Sequence, residues 1–171
     1  MIIKTNPNDI FKTEQQHIAF AINQEGYNDA GFAGIVSEKY WNELANCGYH
    51  DLGTVLTKKV GNKTFHALVC HSLKGKWGDN QNEIIKECFD KIESNGMPIS
   101  SIAIGTGLIG MLSGANFKEI MYGMHKSNNK IVLHVDNTLE EVLDICKQLE
   151  QEKEKTKEMK LSLDLHKNNL I

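Results

Sequence analysis

The stretch that most constrains the fold is residues 99–110, where an apolar run stops abruptly at three closely spaced glycines. The run through Ile102 and Ile104 predicts a short buried strand, because it is uncharged and contains β-branched residues. Gly105, Gly107 and Gly110 then predict a loop whose backbone takes positive φ and comes close to a ligand. Successive N–H groups in such a loop form an anion-binding concavity. The alternative is an ordinary glycine-rich turn, because short glycine patterns are weak signals.

Apolar strands and amphipathic helices alternate along most of the chain. The predicted strands are 2–5, 17–22, 53–60, 64–70, 99–104 and 130–135, and the predicted helices are 32–45, about 80–92, 117–124 and one from 138. Helices separate several of the strands, so most connections are crossovers. We therefore expect a three-layer α/β/α sandwich with a mixed central sheet, in which ligands bind at the carboxyl ends of the strands.

Length and charge limit the classes of function. The 171 residues predict one domain at 1–149 and a charged helical extension or tail at 150–171. A formal net charge of −3 provides no basic surface for nucleic acid, and no apolar run approaches the length of a membrane span. The four cysteines are widely spaced, which indicates neither a disulfide framework nor a zinc site and is typical of a reducing cytoplasm. No metal and no cofactor are expected.

Three polar residues follow predicted strands and are candidates for chemistry. Asn23 ends the second strand, where it either hydrogen-bonds a ligand hydroxyl or caps the strand. Asp29 is either a general base that orients a water or a surface acid of the loop. His71 ends a central strand, where an imidazole serves as an acid or base near neutral pH or has a structural role.

Three segments together resemble the macro domain, the ADP-ribose-binding fold, and the similarity covers roughly residues 2–135. Asn8–Phe11 resembles the family's Gly-Asp-Ile motif, and Ala30–Ala33 resembles its glycine-rich loop before a helix. Gly105–Gly110, read as Gly-Thr-Gly-Leu-Ile-Gly, resembles the Gly-Thr-Gly-Ile-Tyr-Gly diphosphate loop and is the most specific match. Within the family, the chain is most similar to the small ADP-ribose-1″-phosphate phosphatase-like branch.

The resemblance implies a set of ligand-binding residues. Asp9 would hold the adenine amino group, and Asn23 would contact the distal ribose. The full set that it implies is Asp9, Ile10, Asn23, Ala30, Gly31, Phe32, Gly105, Thr106, Gly107, Leu108, Ile109 and Gly110.

The chain also departs from the family's catalytic patterns. One branch removes ADP-ribose from glutamate through a lysine and an aspartate, but His71 stands at the lysine position and the aspartate would fall near Ile109. The phosphatase-like branch has a histidine that would fall near Phe20. The remaining catalytic candidates are Asn23, Asp29 and His71.

Three functions remain open at this point. The first is an enzyme that binds ADP-ribose and hydrolyses ADP-ribose-1″-phosphate or an ADP-ribosyl conjugate. The second is a non-catalytic reader or sequestering protein for an ADP-ribose-derived nucleotide signal. The third is a structural protein whose charged C-terminal helix mediates assembly. The expected partners are ADP-ribose or a related adenine nucleotide and, for the first two functions, an ADP-ribosylated protein.

Overall fold

The computed structural model describes residues 2–5, 9–74, 77, 80–106, 114–136, 140–141, 143–145, 147–152, 154–155 and 159. Its strands are β1 (Ile2–Thr5), β2 (His17–Asn23), β3 (Val55–Val60), β4 (Lys63–His71), β5 (Ile99–Ile102) and β6 (Ile131–Asp136). Its helices are α1 (Gly31–Lys39), α2 (Gln81–Asp90) and α3 (Phe117–Lys126). Short 3-10 helices occupy Asp9–Lys12 and Asn42–Ala45.

The strands form one six-stranded sheet in the order β1-β6-β5-β2-β4-β3. Only β3 is antiparallel to its neighbour, through a hairpin with β4 that turns at Gly61 and Asn62. The other pairs are parallel, so β1, β6, β5, β2 and β4 all end at the same edge. The mixed sheet that the crossovers predict is therefore confirmed.

Helices cover both faces of this sheet, because successive side chains of each strand point to opposite faces. On one face Ile18, Phe20 and Ile22 of β2 pack with Val36 of α1. On the other face Ala19 packs with residues of α2 and α3, among them Ile85, Phe89, Ile120 and Met124. The three-layer α/β/α arrangement is thus confirmed, with the central strands buried on both sides.

The helix predicted over 32–45 is divided in two. Helix α1 ends at Lys39, and the N–H groups of Tyr40 and Trp41 both donate to the carbonyl of Val36. Trp41 then leaves helical geometry, with φ −145° and ψ 77°, before the 3-10 helix Asn42–Ala45 begins. This break brings Trp41 and Leu44 into the core, so burial of two large side chains outweighs continuation of the helix.

The chain after β6 packs on the face covered by α2 and α3. Leu143 and Leu149 lie in that core cluster, with 5% and 6% of their surface exposed. Helical residues are described as far as 159, and the rest of the predicted tail lies outside the described residues. The domain boundary at 150 stays a prediction. No helix within the described ranges is long and apolar enough to cross a membrane.

Candidate functional site

The carboxyl edge of the parallel strands brings most of the predicted site residues together. Asn23 ends β2 and pairs with His71 at the end of β4, after a register shift between Ile22 and Asn23. Strand β5, on the other side of β2, leads into Gly105 and Thr106. The predicted ligand contacts at Gly107, Leu108, Ile109 and Gly110 lie outside the described residues.

The side chain of Asn23 is committed to its own loop. Its Nδ2 donates to the carbonyl of Tyr27 at 2.6 Å, and its Oδ1 accepts from the N–H groups of Gly26 and Tyr27 at 2.8 and 3.1 Å. Asn23 is also buried, with 7% of its surface exposed. The amide thus fixes the loop after β2, and its predicted part in catalysis would require it to share these hydrogen bonds.

Asn28 is a second buried amide that the sequence analysis did not single out. Its Oδ1 accepts from the backbone N–H of Asn23 at 3.3 Å, and its Nδ2 donates to the carbonyl of Leu44 at 3.1 Å. Gly26 lies directly against Gly48, because a Cβ on Gly26 would come within 2.2 Å of the Gly48 oxygen. The loop after β2 is therefore fixed by the hydrogen bonds of its two asparagines and by the contact of Gly26 with Gly48. In the sequence, this arrangement is indicated only by two asparagines that flank a glycine.

The start of α1 is open to solvent at this edge. Its N-cap, Ala30, provides no side-chain acceptor, and the first turn contains no acidic residue. Asp29, Ala30 and Gly31 are exposed, and a Cβ built on Gly31 would meet no atom within 4 Å. The first N–H groups of a helix lack intrahelical acceptors and carry a partial positive charge. This end of α1 is therefore suited to bind an anion.

The turn after β5 is also built for a close approach. The N–H of Thr106 donates to the carbonyl of Ala103 at 3.2 Å, which closes a tight turn. Gly105 has a φ of 81°, and a Cβ there would come within 2.7 Å of Ile120 and 3.0 Å of Ala115. A side chain at this position would push the turn away from α3, so glycine allows the turn to pack closely against Ile120 and Ala115.

Aromatic stacking joins the segment after β1 to the start of α1. The rings of Phe11 and Phe32 are parallel within 6°, with centroids 5.0 Å apart. Ile10 is buried in the core on the α1 face of the sheet, whereas Asp9 is only half-buried. The stack thus holds the 3-10 helix that begins at Asp9 against the first turn of α1. Whether Ile10 and Phe32 contact a ligand stays a prediction, since Ile10 is buried in the core and Phe32 is partly buried against it.

His71 lies in a small polar cluster with Trp77 and Glu25. Its ring stacks on Trp77, with centroids 4.9 Å apart and an interplanar angle of 12°. The Nδ1 of His71 and the Nε1 of Trp77 are both buried without a hydrogen-bond partner. Burial lowers the pKa of His71, and the nearby charge of Glu25 acts in the opposite direction. The imidazole is therefore neutral near pH 7.

Glu25 fastens the loop after β2 to the end of β4. Its Oε2 accepts from the Ser72 hydroxyl, and its Oε1 accepts from the N–H of Leu73, both at 2.7 Å. Desolvation raises the pKa of Glu25, but these hydrogen bonds and the proximity of His71 outweigh it and hold the pKa below its usual value. Glu25 is therefore a fixed negative charge beside His71, which the sequence analysis did not identify.

Two further features narrow the chemistry of the site. No group of three or more His, Cys, Asp or Glu side chains in the described part of the chain is arranged to hold a metal ion. Cys70 is buried beside Cys88, and this burial raises the pKa of its thiol well above the ordinary value. A thiolate nucleophile at Cys70 is thereby disfavoured.

No protein-family model matches the sequence, and no curated protein is similar to it. Solved structures, by contrast, share its fold. An ADPR complex of the Oceanobacillus iheyensis macrodomain superposes with a TM-score of 0.64 at 16% identity, over 90% of this chain and 92% of the other. The macrodomain of Mycobacterium tuberculosis DarG superposes with a TM-score of 0.59 at 11% identity, over 78% of this chain and 97% of the other.

Larger viral proteins contain the same fold. The alphavirus P23pro-zbd structure has a TM-score of 0.66 at 9% identity and matches 89% of this chain. This chain spans only 24% of that protein, and 36% of a coronavirus nonstructural protein 3 structure that it also resembles. At identities this low, the superpositions show that the fold is shared and do not identify the ligand of this chain.

Proposed function

We propose that this chain, which has the fold of macro domains, binds ADP-ribose. The observation that carries the proposal is the exposed, uncapped start of α1 at Gly31, at the same edge of the sheet as the glycine turn at Gly105. Both elements suit a diphosphate. The O. iheyensis macrodomain, which has this fold, was solved with ADPR, and a Thermosipho africanus DarTG structure contains ADP-ribose.

The proposed contacts follow the order of strands along the edge. Asp9, beyond β1, would receive the adenine amino group. The diphosphate would lie between the α1 start and the turn after β5, and the distal ribose would extend toward Asn23 and His71. The proposed binding set is the one that the sequence predicts, namely Asp9, Ile10, Asn23, Ala30, Gly31, Phe32, Gly105, Thr106, Gly107, Leu108, Ile109 and Gly110.

We favour binding without turnover over hydrolysis. Both polar atoms of Asn23 are engaged by the loop, and a neutral histidine stands at the position where the branch that acts on glutamate has its lysine. A reader or sequestering protein for ADP-ribosylated protein requires neither group. We further propose a cytoplasmic location, supported by the free thiols of Cys47, Cys70 and Cys88.

Calorimetric titration with ADP-ribose, and with AMP as the comparator, tests the proposal. We expect micromolar binding of ADP-ribose and binding of AMP at least about tenfold weaker, because AMP lacks the second phosphate and the distal ribose. Absence of binding to ADP-ribose would refute the proposal.

Turnover is measured separately on ADP-ribose-1″-phosphate and on a glutamate-ADP-ribosylated protein. We expect neither to be hydrolysed above the uncatalysed rate. Should hydrolysis occur, Asp29→Ala and His71→Ala would identify whether the predicted catalytic residues carry it, and the reader function would be wrong.

A further inference from the structure

We propose that Glu25 makes the distal end of the site selective for an uncharged ligand terminus, such as the free hydroxyl of ADP-ribose, and against a terminal phosphate. The proposal rests on the proposed binding of ADP-ribose and adds a substrate class to it. The observations that carry it are the fixed position of the Glu25 carboxylate and its place along the sheet edge.

The sheet order determines which end of the ligand meets Glu25. The 3-10 helix Asp9–Lys12 lies beside β5, because the hydroxyl of Thr13, which follows it, is 2.8 Å from that of Ser100 in β5. Strand β4, which ends at His71, is two strand spacings away in the order β5-β2-β4, or about 10 Å at about 4.8 Å per spacing. With adenine at Asp9 and the diphosphate between β5 and β2, the far end of the ligand reaches the cluster of His71 and Glu25.

The Glu25 carboxylate cannot turn away from this end without losing two hydrogen bonds. One oxygen is held by the N–H of Leu73 and the other by the hydroxyl of Ser72, each at 2.7 Å. Hydrogen bonds to an ionised carboxylate are among the stronger ones in proteins. The charge therefore stays at the junction of the two loops whether or not a ligand is bound.

Glu25 forms no ion pair in the described part of the chain. Lys74, which follows its hydrogen-bond partner Leu73, is exposed. His71 is neutral, and its ring is turned onto Trp77. Asp29 adds a second, exposed carboxylate on the same loop. A terminal phosphate would thus be repelled by the fixed carboxylate of Glu25, whereas a hydroxyl would not.

The buried polar atoms of the cluster also suit a neutral group. Trp77 has 7% of its surface exposed, and its Nε1–H has no acceptor, while the Nδ1 of His71 lacks a partner beside it. Leaving such groups unpaired is costly. Both atoms are shielded from solvent, so a ligand hydroxyl, which both donates and accepts without adding charge, would pair with them once binding opens the cluster.

The test compares ADP-ribose with ADP-ribose-1″-phosphate by calorimetry. We expect the wild-type protein to bind the phosphate form about tenfold more weakly, from Coulomb repulsion across several ångströms at an intermediate dielectric constant. Glu25→Gln retains an acceptor for Leu73 or Ser72, and it should narrow the difference to about twofold. Glu93→Gln is the matched control, since it removes the same charge from an exposed position before β5, at the opposite edge of the sheet.

Equal or tighter binding of the phosphate form, or a difference that Glu25→Gln leaves unchanged, would overturn the inference while ADP-ribose binding stands. If neither ligand binds, the proposed function fails, and the inference fails with it.

The dependence of the two affinities on salt provides a second measurement that needs no variant. Because the screening of exposed charges becomes stronger with salt, the wild-type difference should shrink as ionic strength rises from about 0.05 to 0.5 M. A difference independent of salt would also overturn the inference.

Discussion

Asp9 and Asn23 both lie at the carboxyl edge, but their surroundings give them different roles. Asp9 is half-buried at the start of a 3-10 helix, and we propose that its carboxylate receives the adenine amino group. Asn23 is buried and spends both ends of its amide on the backbone of Gly26 and Tyr27. Asn23 therefore shapes the loop in addition to its proposed contact with the distal ribose.

Replacement of Asp9 tests the adenine assignment. We expect Asp9→Ala to weaken ADP-ribose binding by about 10- to 100-fold, the range for loss of a hydrogen bond to a charged group. Calorimetry measures it, and thermal unfolding of the variant without ligand shows whether the fold survives. An unchanged dissociation constant in a folded variant would show that adenine binds elsewhere.

Replacement of Asn23 separates a structural role from a catalytic one. We expect Asn23→Ala to lower the free energy of unfolding by about 1–3 kcal/mol, because the N–H groups of Gly26 and Tyr27 lose their buried acceptor. Urea denaturation measures the change. A variant of unchanged stability that loses a measured hydrolysis would instead favour the catalytic prediction for Asn23.

At the scale of elements, the loop after β2 owes its shape to contact between two backbones. Gly26 has a φ of 84° and lies against Gly48, and the N–H of Cys47 donates to the carbonyl of Gly26 at 3.1 Å. Helix α1 continues this packing, since a Cβ on Gly34 would come within 2.8 Å of the carbonyl carbon and oxygen of Asp29. The open start of α1 is thus positioned by close backbone contacts on both sides.

A pair of glycine variants isolates this contact from the cost of positive φ. Gly61→Ala changes a hairpin turn at φ 62° with no atom within 4 Å, so we expect a loss of only about 1 kcal/mol. Gly26→Ala adds a clash with Gly48 and should cost at least about 3 kcal/mol. Urea denaturation of both variants measures the difference. Equal losses of unfolding free energy in the two variants would show that the contact between Gly26 and Gly48 adds no cost to that of the positive φ.

The elements differ in how far their sequence predicts them. The parallel strands and the mixed sheet follow from apolar runs separated by helices, and those patterns are local. The division of the predicted helix at Trp41 could not be read in the same way, because it depends on the core that Trp41 and Leu44 reach. Glu25 is a similar case, since its partners Ser72 and Leu73 lie 47 and 48 residues away along the chain. Local motifs predict the loops of the candidate site, whereas the position of the Glu25 charge depends on contacts between loops that are distant in sequence.

At the scale of the whole molecule, the sheet holds titratable groups in its interior, away from the carboxyl edge. The Nδ1 of His17 and the Nε2 of His66 are 2.9 Å apart, and the Nδ1 of His66 is 3.1 Å from the Thr57 hydroxyl. His66 has 2% of its surface exposed and His17 has 8%. Two imidazoles at this distance share one hydrogen bond only while at least one accepting nitrogen is unprotonated.

This pair predicts a loss of stability in mild acid. Burial, together with the nearby His17, lowers the pKa of His66 from 6.5 to about 4, and burial also lowers that of His17. As pH falls below 6.5, these imidazoles bind protons in the unfolded chain but stay neutral in the folded chain. The free energy of unfolding therefore decreases until the pH reaches the pKa of the folded state. We expect His66 alone to contribute a loss of about 2 kcal/mol between about pH 7.5 and pH 5, measured by urea denaturation.

His66→Gln cannot titrate at this position, so it should flatten the dependence of the unfolding free energy on pH, whatever its stability at pH 7.5. His50→Gln, which removes an imidazole outside the pair, is the comparison for the loss of any histidine. A slope as steep in His66→Gln as in the wild type would show that the pair does not set the acid limit of the fold.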